Sequence, residues 1–149
     1  MSNKFPLSQK YIDFINTTNV SAEFLEGTTA SGKTTVGAGV KFMRMVSQSP
    51  KKLHAIAAKT TGKAEETIIQ QDNGILDLHR NAVYCGNGDK DYKLPHIKFE
   101  DKIIYILGYS SRDKWEMVLG AQFGCVYIDE INTCLLYTSP SPRDYAASR

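Results

Sequence analysis

Eight residues near the start of the chain, Gly27–Thr34, combine glycines, a lysine and hydroxyl side chains at a spacing suited to binding phosphate. Their sequence, GTTASGKT, matches the pattern GxxxxGK[ST] in full. Glycines let backbone N–H groups approach phosphate oxygens closely, Lys33 can reach the terminal phosphates and act in catalysis, and the Thr34 hydroxyl can hold Mg²⁺. The pattern predicts a nucleoside triphosphate site; the alternative is a plain turn rich in glycine and threonine. The residues expected to contact the nucleotide are Gly27, Thr28, Thr29, Ala30, Ser31, Gly32, Lys33, Thr34 and Thr35.

Two adjacent carboxylates, Asp129 and Glu130, follow the apolar run Cys125–Ile128. An apolar strand that ends in this way is typical of a Walker B motif, in which Asp129 would hold Mg²⁺ and Glu130 would orient or deprotonate the attacking water. Many strands end in acidic residues, so this pattern gains its meaning from the phosphate-binding loop. A second carboxylate directly after the first favours hydrolysis, because a kinase must exclude water.

A positive group for the transition state is harder to place. Arg112 lies in a turn before the predicted last strand, from which it could reach the nucleotide of a neighbouring subunit. The alternative is a solvated residue at the start of a helix. Gln9 and Tyr11 could contact the nucleotide base, although surface or packing roles are the simpler interpretation. Trp115 fits a core position better than a ligand platform.

Composition sets broad limits on the class of protein. The 149 residues, 42% of them hydrophobic and 10% aromatic, suffice for one domain with one core. A net charge of +2 neither demands nor excludes a nucleic-acid partner. No apolar run reaches the roughly 18 residues that a membrane-spanning helix needs, and the N-terminus lacks the pattern of a signal peptide. The expectation is a soluble intracellular protein.

The cysteines and histidines show no metal-binding pattern along the sequence. There is no CxxC pair, and the histidines do not cluster near the cysteines in sequence. Neither a disulfide framework nor a zinc site is predicted. The residues concerned are Cys85, Cys125 and Cys134, and His54, His79 and His96.

The elements that must position these side chains alternate between strand and helix. Helices are predicted from Ser8, after Lys33, over 63–71 and from Ser110 or Ser111, the last with Trp115, Val118 and Leu119 inward. Strands are predicted at 23–25, 53–58, 103–107 and 125–128, with 97–99 forming a hairpin against 103–107. This alternation predicts an α/β fold with a mostly parallel sheet and helices on both faces.

Three stretches, EFLEGTTASGKTT, KTTGKAEETIIQQDNGIL and FGCVYIDEIN, resemble the ATPase domain of phage and prophage terminase large subunits. The likeness covers roughly residues 8–133. Proteins of this family use ATP to drive double-stranded DNA into a procapsid, and a nuclease domain further along the chain cuts the concatemer. The resemblance implies a P-loop NTPase fold of the ASCE type, in which Lys33, Thr34, Asp129 and Glu130 carry over directly and Arg112 only loosely, as a finger acting on a neighbour.

The same resemblance implies cofactors, partners and a location. ATP and Mg²⁺ are the expected cofactors. Double-stranded DNA, the small terminase subunit, the portal protein and further copies of the chain are the expected partners. The expected location is the cytoplasm of the infected or lysogenic bacterial host. The nuclease residues and the coupling motif of this family match nothing in residues 134–149, so the nuclease activity is not carried over.

The last sixteen residues, 134–149, differ in character from the rest. The string CLLYTSPSPRD resembles a translated sequencing-library adapter, and Pro140 and Pro142 favour an extended, solvated backbone. A natural tail rich in proline and serine is the alternative. The expectation is a partial ATPase domain over residues 1–133, truncated after the Walker B strand, followed by a non-native tail.

Other functions remain open at this point. A different P-loop ATPase would share the same two motifs. A small-molecule kinase would need a lid and an acceptor pocket, which the sequence does not clearly offer. A nucleotide-binding assembly module that does not turn over is a third possibility, from another class of protein.

Overall fold

The computed structural model describes residues 7–17, 21–27, 31–118 and 120–130, except the side chains of Lys114 and Trp115. Its helices are α1 (Gln9–Asn16), α2 (π-helical turns over Thr35–Phe42, then α-helical turns over Met43–Gln48), α3 (Thr61–Ala64, continuing as π-helical turns over Glu65–Ile69), α4 (Ile75–Leu78) and α5 (Arg112–Glu116). Its strands are β1 (Leu53–Ala58), β2 (Ala82–Cys85), β3 (His96–Phe99), β4 (Lys102–Gly108) and β5 (Val126–Ile128).

The strands form one open sheet of mixed direction. It has five strands in the order β2-β3-β4-β1-β5. Strand β1 pairs in parallel with β4 on one side and with β5 on the other. Strands β2, β3 and β4 pair antiparallel. The fold is therefore α/β, but the predicted mostly parallel sheet is wrong, because a hairpin occupies one side of the sheet.

Strands β1 and β4 lie at the centre and are buried on both faces, as their nearly continuous apolar sequences indicate. On one face, Ile56 and Ile104 pack against α2, α3 and α4. On the other face, Ala55 and Leu107 pack against Val118 and neighbouring residues. The sheet therefore has packed apolar residues on both sides, and its central strand β1 pairs with β5, the strand that leads to Asp129 and Glu130.

Helix α2 presents small and apolar side chains to the sheet. Val36, Ala38, Met43 and Val46 are fully buried along it. Their spacing confirms the predicted amphipathic helix after Lys33, although the backbone widens into π-helical turns in the first half. Such turns are often found near functional sites.

The segment before the phosphate-binding loop is not a strand, so the strand predicted over 23–25 is wrong. Phe24 is 72% exposed, and Leu25 packs towards Gly37 of α2 instead of pairing in the sheet. Glu23 forms an ion pair with the buried Lys41, whose Nζ also donates to the Phe14 carbonyl oxygen at 2.6 Å. These contacts join α1 and this segment to the side of α2.

Other predicted elements have mixed outcomes. The strand over 53–58 and the β3–β4 hairpin are confirmed, and strand β2 was missed. Ser8 precedes α1, but its side chain makes no capping hydrogen bond. Leu119 and the tail over 134–149 lie outside the described residues, so the proposed division of the chain stays a prediction. Within the ranges that the structure describes, no helix is long and apolar enough to cross a membrane.

Candidate nucleotide site

The phosphate-binding loop ends in a backbone shape suited to an anion. Gly32 has φ +81°, in the left-handed region that glycine adopts at little cost. Thr34 is already helical, and the Val36 N–H donates to the Gly32 carbonyl oxygen at 2.9 Å. A left-handed residue followed by helical residues turns successive N–H groups towards one point, where the helix dipole also favours negative charge. Thr35 follows as the first residue of α2, whereas Thr28, Thr29 and Ala30 lie outside the described residues.

Two side chains and a backbone carbonyl lie close together inside this loop. The Lys33 ammonium donates to the carbonyl oxygen of Gly27. The Ser31 hydroxyl oxygen is buried without a hydrogen-bond partner. A methyl group on Gly27 would lie 3.1 Å from that oxygen and 3.4 Å from Lys33 Cδ, so glycine is needed for this close approach. A buried hydroxyl without a partner is uncommon and indicates a place where a polar ligand is accepted.

Helix α1 holds the loop from outside. The Tyr11 hydroxyl donates to the Ser31 carbonyl oxygen at 2.5 Å. The Gln9 side-chain amide donates to Asp13 at 2.8 Å along the same helix. Tyr11 thus positions the loop, in keeping with the packing alternative, and Gln9 is engaged within α1.

The carboxylate pair lies at the carboxyl edge of the parallel strands. The Asp129 N–H donates to the Ala57 carbonyl oxygen at 2.8 Å, which extends the β1–β5 pairing to the first of the two acidic residues. Parallel strands all end at one edge, where open α/β sheets bind their ligands beside a change in strand order. Strand β1 lies at such a point, with β4 on one side and β5 on the other.

The charge environment of Asp129 connects it to the loop. Burial raises the pKa of Asp129, and the neighbouring Glu130 charge raises it further. The positive charges of Lys33 and Lys63 act in the opposite direction and lower that pKa. Lys33 of the loop thus contributes to the electrostatic environment of Asp129. A partly buried carboxylate of this kind gains from a bound cation.

A second contact joins the loop to β5. Burial raises the pKa of Tyr127 to about 12, and a side-chain hydrogen bond with Thr34 opposes this shift. Tyr127 precedes Asp129 by two residues, and its ring lies 3.2 Å from the position of a Cβ on Gly37, so β5 packs beside the helix that begins after Thr34. The two side chains predicted to hold Mg²⁺ are thus brought to the same region.

Glu130 has an unusual backbone for a residue with a side chain. Its φ is +53°, in the left-handed region, and its carbonyl oxygen accepts a hydrogen bond from the Tyr109 hydroxyl at 3.3 Å. Such strain persists where surrounding contacts enforce it, and it is concentrated at functional sites. Tyr109 follows β4, so its side chain reaches past the end of β1 to the residue that follows Asp129 after β5.

Arg112 is not brought to this group. Its guanidinium is 90% exposed and its Nε lies 3.0 Å from the Glu116 carboxylate within α5. Among the described residues Arg112 contacts Glu116, which agrees with the alternative that it is a solvated residue at the start of a helix. A role in trans stays a prediction. The side chain of Trp115 lies outside the described part of the chain.

Lys63 is a residue that the sequence reasoning missed. It follows β1 in a turn where the Thr60 hydroxyl accepts the Lys63 N–H at 3.1 Å and caps α3. Its charge acts on Asp129. The signal was available, because a lysine just after a central parallel strand falls at the same edge as Asp129.

Comparison of the chain with protein-family models, with curated proteins and with solved structures finds no match in any of the three. The residues and contacts described above are therefore what supports a function for this chain.

Proposed function

We propose that the chain binds ATP with Mg²⁺ and hydrolyses it, as the ATPase domain of a terminase large subunit. The observation that carries the proposal is the packing of β5 against α2, where the Tyr127 ring lies 3.2 Å from the position of a Cβ on Gly37, since it joins the helix that follows the phosphate-binding loop to the strand that ends in two carboxylates. A glycine-rich turn without a binding role would not be expected to lie beside the carboxylates of Asp129 and Glu130.

Each side chain then has a role that its position supports. The N–H groups from Gly32 onward and the Ser31 hydroxyl would bind phosphate oxygens, and Lys33 would leave the Gly27 carbonyl to contact the terminal phosphates. Thr34 and Asp129 would hold Mg²⁺, which supplies positive charge to the phosphates. Glu130 would orient the attacking water and accept its proton.

The link to DNA packaging rests on the resemblance of the sequence to terminase large subunits. It brings with it double-stranded DNA, the small terminase subunit, the portal protein and further copies of the chain as proposed partners. A location in the cytoplasm of an infected or lysogenic bacterium is part of the same proposal. Arg112 belongs here as a proposed finger that acts on the nucleotide of a neighbouring copy.

The test measures ATP binding and steady-state hydrolysis by the whole chain, with and without double-stranded DNA. Lys33→Ala is expected to lose ATP binding, whereas Lys10→Ala, which removes an exposed lysine from α1, is expected to bind as the wild type does. Glu130→Gln is expected to bind ATP and to hydrolyse it roughly 100- to 10,000-fold more slowly. Equal turnover by Glu130→Gln and the wild type would contradict the role of Glu130.

The same assays separate the other candidate functions. Transfer of phosphate to an added acceptor in preference to water would identify a kinase. Tight ATP binding without turnover, in the presence and absence of DNA, would identify a nucleotide-binding module. Hydrolysis that DNA does not stimulate would leave a generic P-loop ATPase and would count against the terminase assignment.

A further inference from the structure

The β2–β3 hairpin brings together three side chains, one from each of its strands and one from the loop between them. Cys85 ends β2 and His96 begins β3, and the two residues are directly opposite in the antiparallel register. Asp89 lies in the loop that connects them. Their ligand atoms, Cys85 Sγ, a carboxylate oxygen of Asp89 and a ring nitrogen of His96, all lie within 4.8 Å of one another. The spacing along the sequence predicted no zinc site, whereas the hairpin brings Cys85 and His96 together in space.

His96 is arranged as a metal-binding histidine. It is fully buried, and its Nδ1 lies 2.8 Å from the Leu94 carbonyl oxygen. Because a carbonyl can only accept a hydrogen bond, Nδ1 carries a proton, which leaves Nε2 as the ring nitrogen that can bind a metal. Nε2 makes no hydrogen bond, although it lies 3.4 Å from Asp89 Oδ2. A buried nitrogen without a partner is thus aimed into the cluster.

Asp89 divides its two carboxylate oxygens between the loop and the cluster. Oδ1 accepts the N–H groups of Asp91 and Tyr92 at 2.9 and 2.8 Å, which fixes the carboxylate in place. Oδ2 faces His96 and forms an ion pair with Lys98. The Lys98 ammonium holds the pKa of Asp89 well below its usual range, so the carboxylate is ionised.

We propose that Cys85, Asp89 and His96 bind a zinc ion that closes the β2–β3 hairpin. A thiolate, an imidazole and a carboxylate together suit Zn²⁺, whereas Mg²⁺ and Ca²⁺ prefer oxygen ligands alone. Ligand atoms of a tetrahedral zinc site, with bonds of about 2.0 to 2.3 Å, lie roughly 3.3 to 3.8 Å apart. The 3.4 Å between His96 and Asp89 fits this range, and a shift of the Cys85 thiol completes it.

Zinc binding at this site releases one proton, which comes from the Cys85 thiol. The Cys85 thiol releases its proton to water as its sulfur bonds to zinc, the Asp89 carboxylate binds through an oxygen, and His96 binds through the Nε2 lone pair of its Nδ1-protonated form. The Lys98 ammonium, whose side chain is 44% exposed, turns away into solvent as zinc takes over its place beside Asp89. A water molecule takes the fourth ligand position, since three protein ligands leave one open.

The zinc site is separate from the nucleotide site. Strands β4 and β1 lie between β3 and β5. At about 4.8 Å per strand, the two sites are therefore roughly 14 Å apart along the sheet. The two proposals can thus succeed or fail independently.

The test titrates ZnCl₂ into the reduced, metal-free chain in competition with a chromophoric chelator. The wild type is expected to bind one zinc ion. Cys85→Ser and Asp89→Asn, which nearly preserve shape, are each expected to bind at least about tenfold to 100-fold more weakly. Cys125→Ser removes a half-buried thiol elsewhere and is the matched control. Equal zinc affinity of Cys85→Ser and the wild type, or no binding by the wild type, would overturn the proposal.

Two further measurements do not depend on the ligand variants folding. Co²⁺ added to the wild type is expected to give a thiolate-to-cobalt charge-transfer band, which Cys125→Ser retains. Lys98→Gln keeps all three ligands and removes the competing cation, so it is expected to bind zinc more tightly than the wild type. Absence of the cobalt band, or zinc binding by Lys98→Gln that is no tighter than by the wild type, would count against the site.

Discussion

The Gly32→Ala variant gives the sharpest test of the loop geometry, because the added methyl group disfavours one backbone angle that the loop requires. Its φ of +81° is costly for any residue with a Cβ. An alanine there loses about 1 to 2 kcal/mol if the left-handed conformation is kept. If the loop of Gly32→Ala instead relaxes, ATP binding must restore the strained shape. The expected loss of ATP affinity is then roughly 5- to 30-fold.

Two other glycines supply matched controls for this variant. Gly120 has φ +91° with open space around it, so Gly120→Ala carries the same kind of backbone strain away from the loop. Gly62 lies in α3, also in open space, so Gly62→Ala is expected to stabilise the chain by about 0.5 to 1 kcal/mol. Urea unfolding and ATP titration of the three variants separate strain from binding. ATP affinity and unfolding free energy of Gly32→Ala that both equal those of the wild type would refute the role given to this backbone.

Three further predictions concern the contacts around the site and the core. Tyr11→Phe removes the hydroxyl that donates to the Ser31 carbonyl oxygen. This change is expected to lower the free energy of unfolding in urea by about 1 kcal/mol and to weaken ATP binding, and unchanged ATP affinity would show that α1 does not hold the loop. The pKa of Tyr127 in the folded chain is about 12, above the value of about 10 for an exposed tyrosine. Because folding favours the neutral phenol, the contribution of Tyr127 to stability is complete below about pH 10 and is lost as the pH rises towards 12. Over that interval Tyr127→Phe is expected to lose less unfolding free energy than the wild type, and equal losses would contradict the burial of this phenol. Ile104→Ala, in the centre of the core, is expected to lower the free energy of unfolding by roughly 2 to 5 kcal/mol. Ile12→Ala, at a partly exposed position of α1, is expected to lower it by about 0.5 kcal/mol or less. Similar losses in the two variants would contradict the packing of Ile104.

The central strands could be predicted from the sequence because their signal is local. Leu53–Ala58 is apolar at nearly every position, as a strand buried on both faces requires. The turn at Glu100 and Asp101 between two apolar runs indicated the β3–β4 hairpin. Here the local preference and the final environment agree.

The errors arose where the environment decides the structure. The apolar residues Phe24 and Leu25 suggested a strand, but a strand needs a neighbour, and this segment packs along α2. Strand β2 was missed because its hydrophobic run, Ala82–Cys85, is only four residues long, and it becomes a strand through pairing with β3 at the edge of the sheet. Without β2, the sheet was expected to be mostly parallel.

The candidate site could be predicted in part. The residues from Gly27 to Thr34 and the pair at Asp129 were found from their spacing, because motif chemistry is written in neighbouring positions. Lys63 could have been found from its place just after β1, whereas the contribution of Tyr11 depends on how α1 packs, which no local pattern encodes. The same holds for Cys85 and His96, which face each other only through the register of a hairpin that was not predicted.

The most direct test of the account is the Mg²⁺ dependence of ATP binding, because it asks whether the loop and β5 form one site. ATP affinity is measured by calorimetry with and without Mg²⁺, for the wild type and for Asp129→Asn. We predict that Mg²⁺ tightens ATP binding to the wild type, and that Asp129→Asn loses this tightening while it still binds metal-free ATP. Wild-type affinity of Asp129→Asn for ATP in the presence of Mg²⁺ would contradict the proposed site.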